Sequence, residues 1–205
     1  MKMILSSCDF INAKSKKTIL NNINKRLDAC KVLFIPNEKA TKEKINSNKY
    51  YDRLYNDGFT NKENIYIFDE QNIDKFCCLD IDLIYVSGGN TFATLKKIKD
   101  SGFDKYIIKY VENGVTYIGG SCGAHIVTQN IEHLLSLDSN YCNLEDFDAL
   151  GLFDGIIIPH YEAKEFNPNI RKKLYNELVK QNKYKVYKLK NDESIVIIDG
   201  KITLC

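Results

Sequence analysis

A glycine-rich passage near the middle of the chain matches the pattern G-x-S-x-G. It reads GGSCG over residues 119–123 and lies between a predicted strand and a predicted helix start. In that context the serine lies on a sharp strand-to-helix turn, where it can attack a carbonyl carbon, and the helix N-terminus presents backbone N–H groups to the oxyanion that forms. The pattern therefore predicts Ser121 as a nucleophile and the N–H of Cys122 as one oxyanion donor.

Two other segments should reach the same place. The sequence GGNT at residues 88–91 follows a predicted strand, and His160 directly follows another. Because the carboxyl ends of parallel strands meet at one edge of a sheet, we expect both near Ser121. His160 is then the candidate general base, ahead of the chain's other two histidines. The glycine amides of the loop can supply the second oxyanion donor, and Asn90 and Thr91 are candidate substrate contacts. The alternative is that the glycines form only a turn and that Asn90 or Thr91 caps the next helix.

A third group should orient the imidazole of the base. The chain order Ser, Asp, His that accompanies this type of turn directs the search to residues 131–154, a stretch without clear periodicity. The residues alone leave the choice open among six carboxylates, which are Glu132, Asp138, Glu145, Asp146, Asp148 and Asp154.

The elements that must position these residues alternate along the chain. Short β-prone runs are separated by segments with apolar residues at helical spacing, which predicts an α/β three-layer sandwich with a mostly parallel sheet flanked by helices. The chain ends in two alternating runs around Asp199-Gly200, which predicts a C-terminal antiparallel hairpin. The predicted strands are Lys2–Ser6, Lys31–Ile35, Asn64–Phe68, Leu83–Ser87, Val115–Ile118, Gly155–Pro159, Ser194–Ile198 and Lys201–Leu204, and the main predicted helices are Ser15–Ala29, 40–56, 103–112 and 167–181.

Length and composition limit the function classes. The 205 residues are enough for one domain with a sizeable core, so we expect a single domain over residues 1–205. A net charge of +2 gives no general electrostatic attraction to nucleic acid or to a membrane surface. The sequence has no apolar stretch long enough to span a bilayer and no secretory signal, so we expect a cytoplasmic protein.

The cysteines and histidines do not form a recognisable metal motif. The seven cysteines are odd in number, which disfavours a disulfide framework, and the adjacent pair Cys77-Cys78 lacks both zinc-ligand spacing and a nearby histidine. We therefore expect no metal and no cofactor. The expected partner is a small substrate, and the sequence leaves the choice between monomer and homodimer open.

The order of these motifs resembles the peptidase E family. The resemblance rests on VSGGNTF at residues 86–92, GGSCGA at 119–124, and LGLF at 150–153 leading to IPHY at 158–161, and it covers nearly the whole chain. These are aspartyl-dipeptidase-like serine peptidases with the fold of class I glutamine amidotransferases. The resemblance implies a single domain of that fold and hydrolysis of short peptides, including N-terminal aspartyl dipeptides, through an acyl-enzyme.

The resemblance also assigns roles to residues. It implies a catalytic triad of Ser121, His160 and Asp138, with Gly89 and Cys122 as oxyanion donors. Family members that prefer aspartate hold its side chain with basic residues beyond the histidine, and here Arg171 or Lys164 could serve. The chain departs from the family in having cysteine rather than alanine after the nucleophile.

Two other readings remain open. Cys122 could be the nucleophile of an amidotransferase-like hydrolase, although the pattern G-x-C-x-G centred on Cys122 would place Ala124 where the last glycine belongs, whereas the serine register satisfies every position. The chain could also be a non-catalytic small-molecule binding protein that retains the crevice. A turnover assay separates that reading from the enzyme.

Overall fold

The computed structural model describes the whole chain, Met1–Cys205, and is built around a seven-stranded sheet. The strand order is β3-β2-β4-β5-β1-β8-β9, in which the first five strands are parallel and the last two form the antiparallel hairpin. The predicted fold class is therefore confirmed. The nine strands of the chain are β1 (Lys2–Ser6), β2 (Val32–Ile35), β3 (Ile65–Ile67), β4 (Leu83–Val86), β5 (Thr116–Gly120), β6 (Ile156–Ile158), β7 (Val186–Lys188), β8 (Ser194–Ile198) and β9 (Lys201–Leu204).

Helices cover both faces of the sheet. None of them combines the length and the apolar character that crossing a membrane requires. The seven α-helices are α1 (Ala13–Asn21), α2 (Lys42–Asn46), α3 (Lys49–Asp57), α4 (Thr91–Asp100), α5 (Asp104–Glu112), α6 (Cys122–His125) and α7 (Pro168–Gln181).

Strand β2 shows why the central strands read as continuous apolar runs. Leu33 and Ile35 point into a cluster of 29 buried residues on one face of the sheet, while Val32 and Phe34 point into a cluster of 16 on the other. Successive side chains on a strand face opposite sides, so a strand covered on both sides needs an apolar residue at every position. The sheet is therefore the middle layer of the sandwich, with a hydrophobic core on each face.

Two predicted helices differ from the observed ones. The helix expected over Ser15–Ala29 ends earlier, at Asn21. It also begins earlier, because the side chain of Asn12 caps its first turn by accepting from the N–H groups of Lys14 and Ser15. The helix expected over 40–56 is two helices, α2 and α3, separated at residues 47–48. Gly58, at φ 123°, ends α3 as expected.

Strands β6 and β7 form a small parallel sheet of their own. Sequence periodicity predicts β6 but not β7, whose three residues are only partly buried. Ser7 joins this sheet to the end of β1, because its Oγ donates to the carbonyl of Leu189 at 3.1 Å and accepts from the N–H of His160 at 3.2 Å. The loops that follow β6 and β7 are thereby held beside the carboxyl edge of the main sheet.

Candidate active site

Ser121 occupies a strained turn between β5 and α6. Its φ of 50° and ψ of −105° lie in a region that side-chain-bearing residues rarely adopt. The backbone there is packed too tightly for side chains, since a Cβ on Gly119 would collide with the carbonyl of Gly123, and a Cβ on Gly123 would collide with the carbonyl of Val86. The N–H of Ser121 donates to the carbonyl of Ser6 at 2.9 Å and ties the turn to β1. This geometry matches the strand-turn-helix placement that the sequence pattern predicts.

His160 meets the hydroxyl of Ser121. Its Nε2 lies 3.1 Å from Ser121 Oγ, within hydrogen-bond distance, and the residue is only 7% exposed. Burial lowers the pKa of His160 below its usual 6.5, and the positive charge of Arg171 lowers it further, while the hydrogen bond with Asn191 opposes the shift. The imidazole is therefore neutral at pH 7 and able to accept the serine proton.

The other ring nitrogen of His160 meets an amide. Its Nδ1 lies 2.8 Å from Oδ1 of Asn191, and the Nδ2 of Asn191 donates to Glu165 Oε1 at 3.1 Å. With Asn191 Oδ1 as the acceptor, the proton is on Nδ1 and Nε2 is free to accept from Ser121. The thiol of Cys8 is the other group near Nδ1, at 3.9 Å.

The structure does not bring Asp138 to His160, so its assignment as the third triad member is corrected. Its carboxylate accepts from the backbone N–H of Thr91 at 3.0 Å and from Nδ2 of Asn90 at 2.8 Å. Both donors lie at the N-terminus of α4, where free N–H groups and the helix dipole favour a carboxylate. Asp138 therefore caps this helix.

The other acidic residues of the 131–154 region also lie elsewhere. Asp146 pairs with Lys99, and Asp154 pairs with Lys185. Asp148 accepts from the side chain of Asn130. None of these carboxylates hydrogen-bonds to His160.

Asn191 was not among the predicted site residues, because it is an amide rather than a carboxylate and lies after His160 rather than between Ser121 and His160. Asn191 follows β7, whose pairing with β6 brings the start of the next loop beside His160. The NDE run at residues 191–193 is a turn signal, but nothing in it marks the asparagine as functional.

The loop over residues 88–90 lies against the nucleophile. A Cβ added to Gly88 would come within 4.0 Å of the Cβ of Ser121. A Cβ on Gly89 would lie 2.5 Å from both the Asn37 side chain and Glu38 Oε2, so a larger residue at this position would have to displace these side chains. The N–H of Gly89 has no acceptor within the chain.

Cys122 contributes its backbone to the site, and its thiol is excluded from it. The side chain is fully buried, and burial raises the pKa of the thiol to about 12. The backbone N–H of Cys122, like that of Gly89, makes no hydrogen bond within the chain. The structure thus leaves free both amides predicted as oxyanion donors and makes the thiol a poor nucleophile.

The side chains of Asn90 and Thr91 are occupied by contacts within the fold, which corrects their assignment as substrate contacts. Asn90 Oδ1 accepts from the N–H of Ala93 at 2.9 Å, and its Nδ2 donates to Asp138. Thr91 is 2% exposed, and its Oγ1 lies 3.1 Å from Nδ1 of His125. Both residues support the start of α4.

Arg171 is a buried cation in the first turns of α7. It is 7% exposed, and its Nε donates to the carbonyl of Phe166 at 2.8 Å. No carboxylate lies within ion-pair distance of it, although burial of an unpaired charge is costly. Its positive charge nevertheless contributes to lowering the pKa of His160. The alternative basic residue, Lys164, is exposed to solvent.

Arginine is rare in this chain. Of the 29 basic side chains only three are arginine. Arg26 forms an exposed pair with Asp28, whereas Arg171 is buried and Arg53 is half-buried beside the catalytic cavity. Arginine differs from lysine in its planar array of donors, which suits the recognition of carboxylates.

A cavity of about 540 Å³ opens in front of Ser121. Asp9 forms part of its wall, and Arg53 lies 3.5 Å from that carboxylate and donates to the hydroxyl of Tyr85 at 2.9 Å. Burial raises the pKa of Asp9, and the charge of Arg53 opposes the shift. This volume accommodates a small substrate and not a folded protein segment.

The structure contains no group of three or more His, Cys, Asp or Glu side chains placed to hold a metal ion. All seven cysteines are free thiols. The site consists of a serine, a histidine, an amide and free backbone N–H groups. These are the kinds of group that nucleophilic acyl transfer requires.

Comparison with known proteins agrees with this type of chemistry. The model of the family described as Peptidase family S51 matches residues 3–205. The uncharacterized peptidase Lmo0363 of Listeria monocytogenes is 40% identical over 118 residues, which cover 57% of this chain and 56% of that protein. Peptidase E of Citrobacter koseri is 38% identical over 82 residues, or 40% of this chain and 35% of that protein. The aligned segments thus span just over half of the first relative and about a third of the second.

Solved structures extend the similarity to the full chain. A 1.5 Å crystal structure from Listeria monocytogenes EGD-e, named as a candidate peptidase E protein, covers 100% of this chain and 97% of its own, with a TM-score of 0.76 and 27% identity. A peptidase from an acI-B1 Actinobacterium shares the fold with a TM-score of 0.66, covering 100% of this chain and 86% of its own at 15% identity. The expected resemblance to peptidase E is confirmed.

Proposed function

Because this chain belongs to peptidase family S51, we propose that it is a serine-type peptidase that hydrolyses short peptides through an acyl-enzyme on Ser121. The observation that carries the proposal is the 3.1 Å contact between Ser121 Oγ and His160 Nε2, made at a strained turn that faces a cavity. A serine hydroxyl is a weak nucleophile unless a base accepts its proton, and the neutral His160 supplies that base.

In the first half of the reaction, Ser121 Oγ attacks the scissile carbonyl carbon while its proton passes to Nε2 of His160. The carbonyl oxygen becomes an oxyanion, which the free N–H groups of Gly89 and Cys122 stabilise. When the tetrahedral intermediate collapses, the C–N bond breaks and His160 returns the proton to the leaving amine. The acyl group remains on Ser121.

In the second half, water replaces the amine. His160 Nε2 takes a proton from water, the hydroxide attacks the acyl carbon, and the C–O bond to Ser121 breaks as the serine recovers its proton. The products are a carboxylic acid and free enzyme. The reaction requires no redox equivalent and no group beyond the residues named.

Asn191 keeps His160 in the tautomer that the reaction needs. Its Oδ1 accepts from Nδ1–H, so the lone pair of Nε2 stays directed at Ser121. An amide carries no charge, so it stabilises the imidazolium less than a carboxylate would. The carboxylate of Glu165 accepts a hydrogen bond from Nδ2 of the same amide, so it supplies part of the missing negative charge from farther away.

Arg171 supports a preference for substrates with an acidic first residue. Its buried guanidinium forms no direct ion pair within the chain, although the negative charge of Asp138 acts on it, so a substrate carboxylate would supply a direct partner. We propose that Arg171 binds the side chain of an N-terminal aspartate.

A dipeptide panel tests the substrate class. Asp-Leu, its neutral isostere Asn-Leu, and Ala-Leu are assayed with wild type, Ser121→Ala, Arg171→Ala and the control Arg26→Ala. Loss of one partner of a buried charge pair costs about 2 kcal/mol or more, so Arg171→Ala should lower kcat/KM for Asp-Leu by roughly 30-fold or more relative to its effect on Ala-Leu. Arg26→Ala should behave as wild type.

The outcomes separate the parts of the proposal. Equal wild-type rates for all three dipeptides, unaffected by Arg171→Ala, would remove the aspartate preference. Undiminished hydrolysis by Ser121→Ala would remove the serine mechanism. Absence of turnover with every short peptide would favour the non-catalytic binding protein.

A further inference from the structure

Phe166 stacks on the catalytic imidazole. The ring centroids of Phe166 and His160 are 4.0 Å apart, and the two planes are inclined by only 15°. The edges of the imidazole are already occupied, because Nε2 faces Ser121 and Nδ1 faces Asn191. Phe166 therefore covers a face of the ring that the two hydrogen bonds leave uncontrolled.

This control matters because the ring of a histidine turns easily. The terminal torsion of the side chain has broad minima, and hydrogen bonds at the two nitrogens restrain in-plane displacement better than tilt. A flat aromatic ring at stacking distance opposes the tilt by direct contact. It also excludes water from that face, in line with the burial that lowers the pKa of His160.

Arg171 fixes Phe166 in place. Its Nε donates to the Phe166 carbonyl at 2.8 Å, and its guanidinium carbon lies 5.6 Å from the centre of the Phe166 ring. The turn Lys164–Phe166 lies between two residues with left-handed backbone, Glu162 at φ 69° and Asn167 at φ 51°. Such a turn is held by its contacts rather than by local preference. Phe166 is 41% exposed, so burial alone does not explain its position.

The same turn reaches His160 by a second route. Glu165, next to Phe166, accepts from Nδ2 of Asn191, whose Oδ1 meets His160 Nδ1. One short turn thus supports both the face of the imidazole and its hydrogen-bonded edge.

We propose that Phe166 is a positioning residue that holds His160 in the plane required for proton transfer with Ser121. The inference rests on the proposed function and deepens it, because it adds a residue that acts on the base without taking part in the bonds that form or break. Arg171 then has two roles, since it anchors Phe166 as well as offering its remaining donors to a substrate.

Steady-state kinetics on three variants test the role. Phe166→Ala removes the stack, Phe166→Tyr keeps the ring, and Ile170→Ala is the control, an apolar residue of matching 40% exposure on α7. Misplacement of a catalytic group by about 1 Å can cost on the order of 100-fold. We expect Phe166→Ala to lower kcat by roughly 10- to 100-fold with little change in KM, and Phe166→Tyr and Ile170→Ala to remain near wild type. A raised KM at unchanged kcat would instead make Phe166 a substrate contact and overturn the proposal.

A measurement on the free protein separates this inference from the peptidase proposal. In NMR spectra, ring current from Phe166 should shift the His160 ring protons upfield in wild type and Phe166→Tyr, and Phe166→Ala should move them downfield and change the His160 pKa. The rate of inactivation by a fluorophosphonate should fall in Phe166→Ala by the same factor as kcat. Identical His160 resonances, pKa and inactivation rate in Phe166→Ala and wild type would overturn the positioning role. Failure of wild type to react or to hydrolyse any peptide would overturn the proposed function, while the NMR comparison would still decide whether Phe166 controls His160.

Discussion

The Nδ1 of His160 lies 2.8 Å from the side-chain oxygen of Asn191, so an amide occupies the position beside the base where a triad has a carboxylate. The arrangement fixes the tautomer but provides no full negative charge at the ring. The imidazole is consequently oriented for catalysis while its pKa stays below 6.5.

Replacing Asn191 with aspartate should raise the pKa of His160. A neighbouring carboxylate favours the imidazolium, and neutral imidazole is the form that accepts a proton from Ser121. The acid limb of kcat/KM should therefore lie below pH 6.5 in wild type and move to higher pH in Asn191→Asp.

The control is the double variant Asn191→Asp/Glu165→Gln. The second substitution removes the carboxylate of Glu165, which would otherwise repel the new carboxylate at position 191. Asn191→Leu should lose activity across the whole pH range, because it has no acceptor for Nδ1–H. An acid limb at the same pH in wild type and Asn191→Asp would contradict the contact between residue 191 and Nδ1 of His160.

The free energy of unfolding should fall as the pH drops below 6.5. Burial lowers the pKa of all three histidines in the folded state, that of His133 to about 4. Below pH 6.5 the unfolded chain binds protons that the folded chain does not, so stability is fully present above 6.5 and is lost as the pH falls toward 4. Urea unfolding at several pH values measures the slope, and His133→Phe should reduce it if the fold is retained. Asp57, whose pKa burial raises to about 6, contributes with the opposite sign in this range, so the histidine contribution is measured as the difference between variants. An equal slope in wild type and a folded His133→Phe would contradict the burial of His133.

Asp138→Asn should retain most of the activity. The amide keeps an acceptor for the N–H of Thr91, and loss of a helix cap costs about 1 kcal/mol of stability. If Asp138 instead paired with His160, the asparagine would favour the wrong tautomer, and kcat would drop by about 10⁴-fold. Measurement of kcat and the thermal midpoint for Asp138→Asn distinguishes the two roles.

Cys122→Ala should also remain active. The thiol is fully buried with a pKa raised to about 12, and the proposed role of this residue uses only its backbone N–H, which makes no hydrogen bond within the chain. Iodoacetamide should alkylate the exposed Cys78 and spare Cys122 in the folded protein. Loss of activity in Cys122→Ala, together with alkylation of Cys122, would support the thiol mechanism.

Local patterns were enough to predict most of the fold. The continuous apolar runs of the central strands and the glycine-rich turn at Ser121 are strong signals because each depends on neighbouring residues only. The start of α1 depends on a single cap, Asn12, and the three-residue strand β7 lacks a pattern of its own. These features become visible only when tertiary contacts are known.

Sequence patterns predicted those residues of the candidate site that come shortly after a strand. Ser121 lies directly beyond β5 of the main sheet, and His160 follows β6 of the small sheet, which Ser7 joins to the end of β1. Asn191 and Phe166 reach His160 through loops whose course depends on β7 and on Arg171. The role of Asp138 rested on the family resemblance alone, and in the structure its carboxylate caps the start of α4 instead.

The central claim is that Ser121 is the nucleophile and His160 its base. A fluorophosphonate reacts with an activated serine by forming an Oγ–P bond as fluoride leaves and the serine proton passes to the base. Intact-mass and peptide mapping after exposure to this reagent should show one phosphonyl adduct, on Ser121, in wild type and in Cys122→Ala, and none in Ser121→Ala or His160→Gln. An adduct on another residue, or equal labelling of wild type and His160→Gln, would contradict the account.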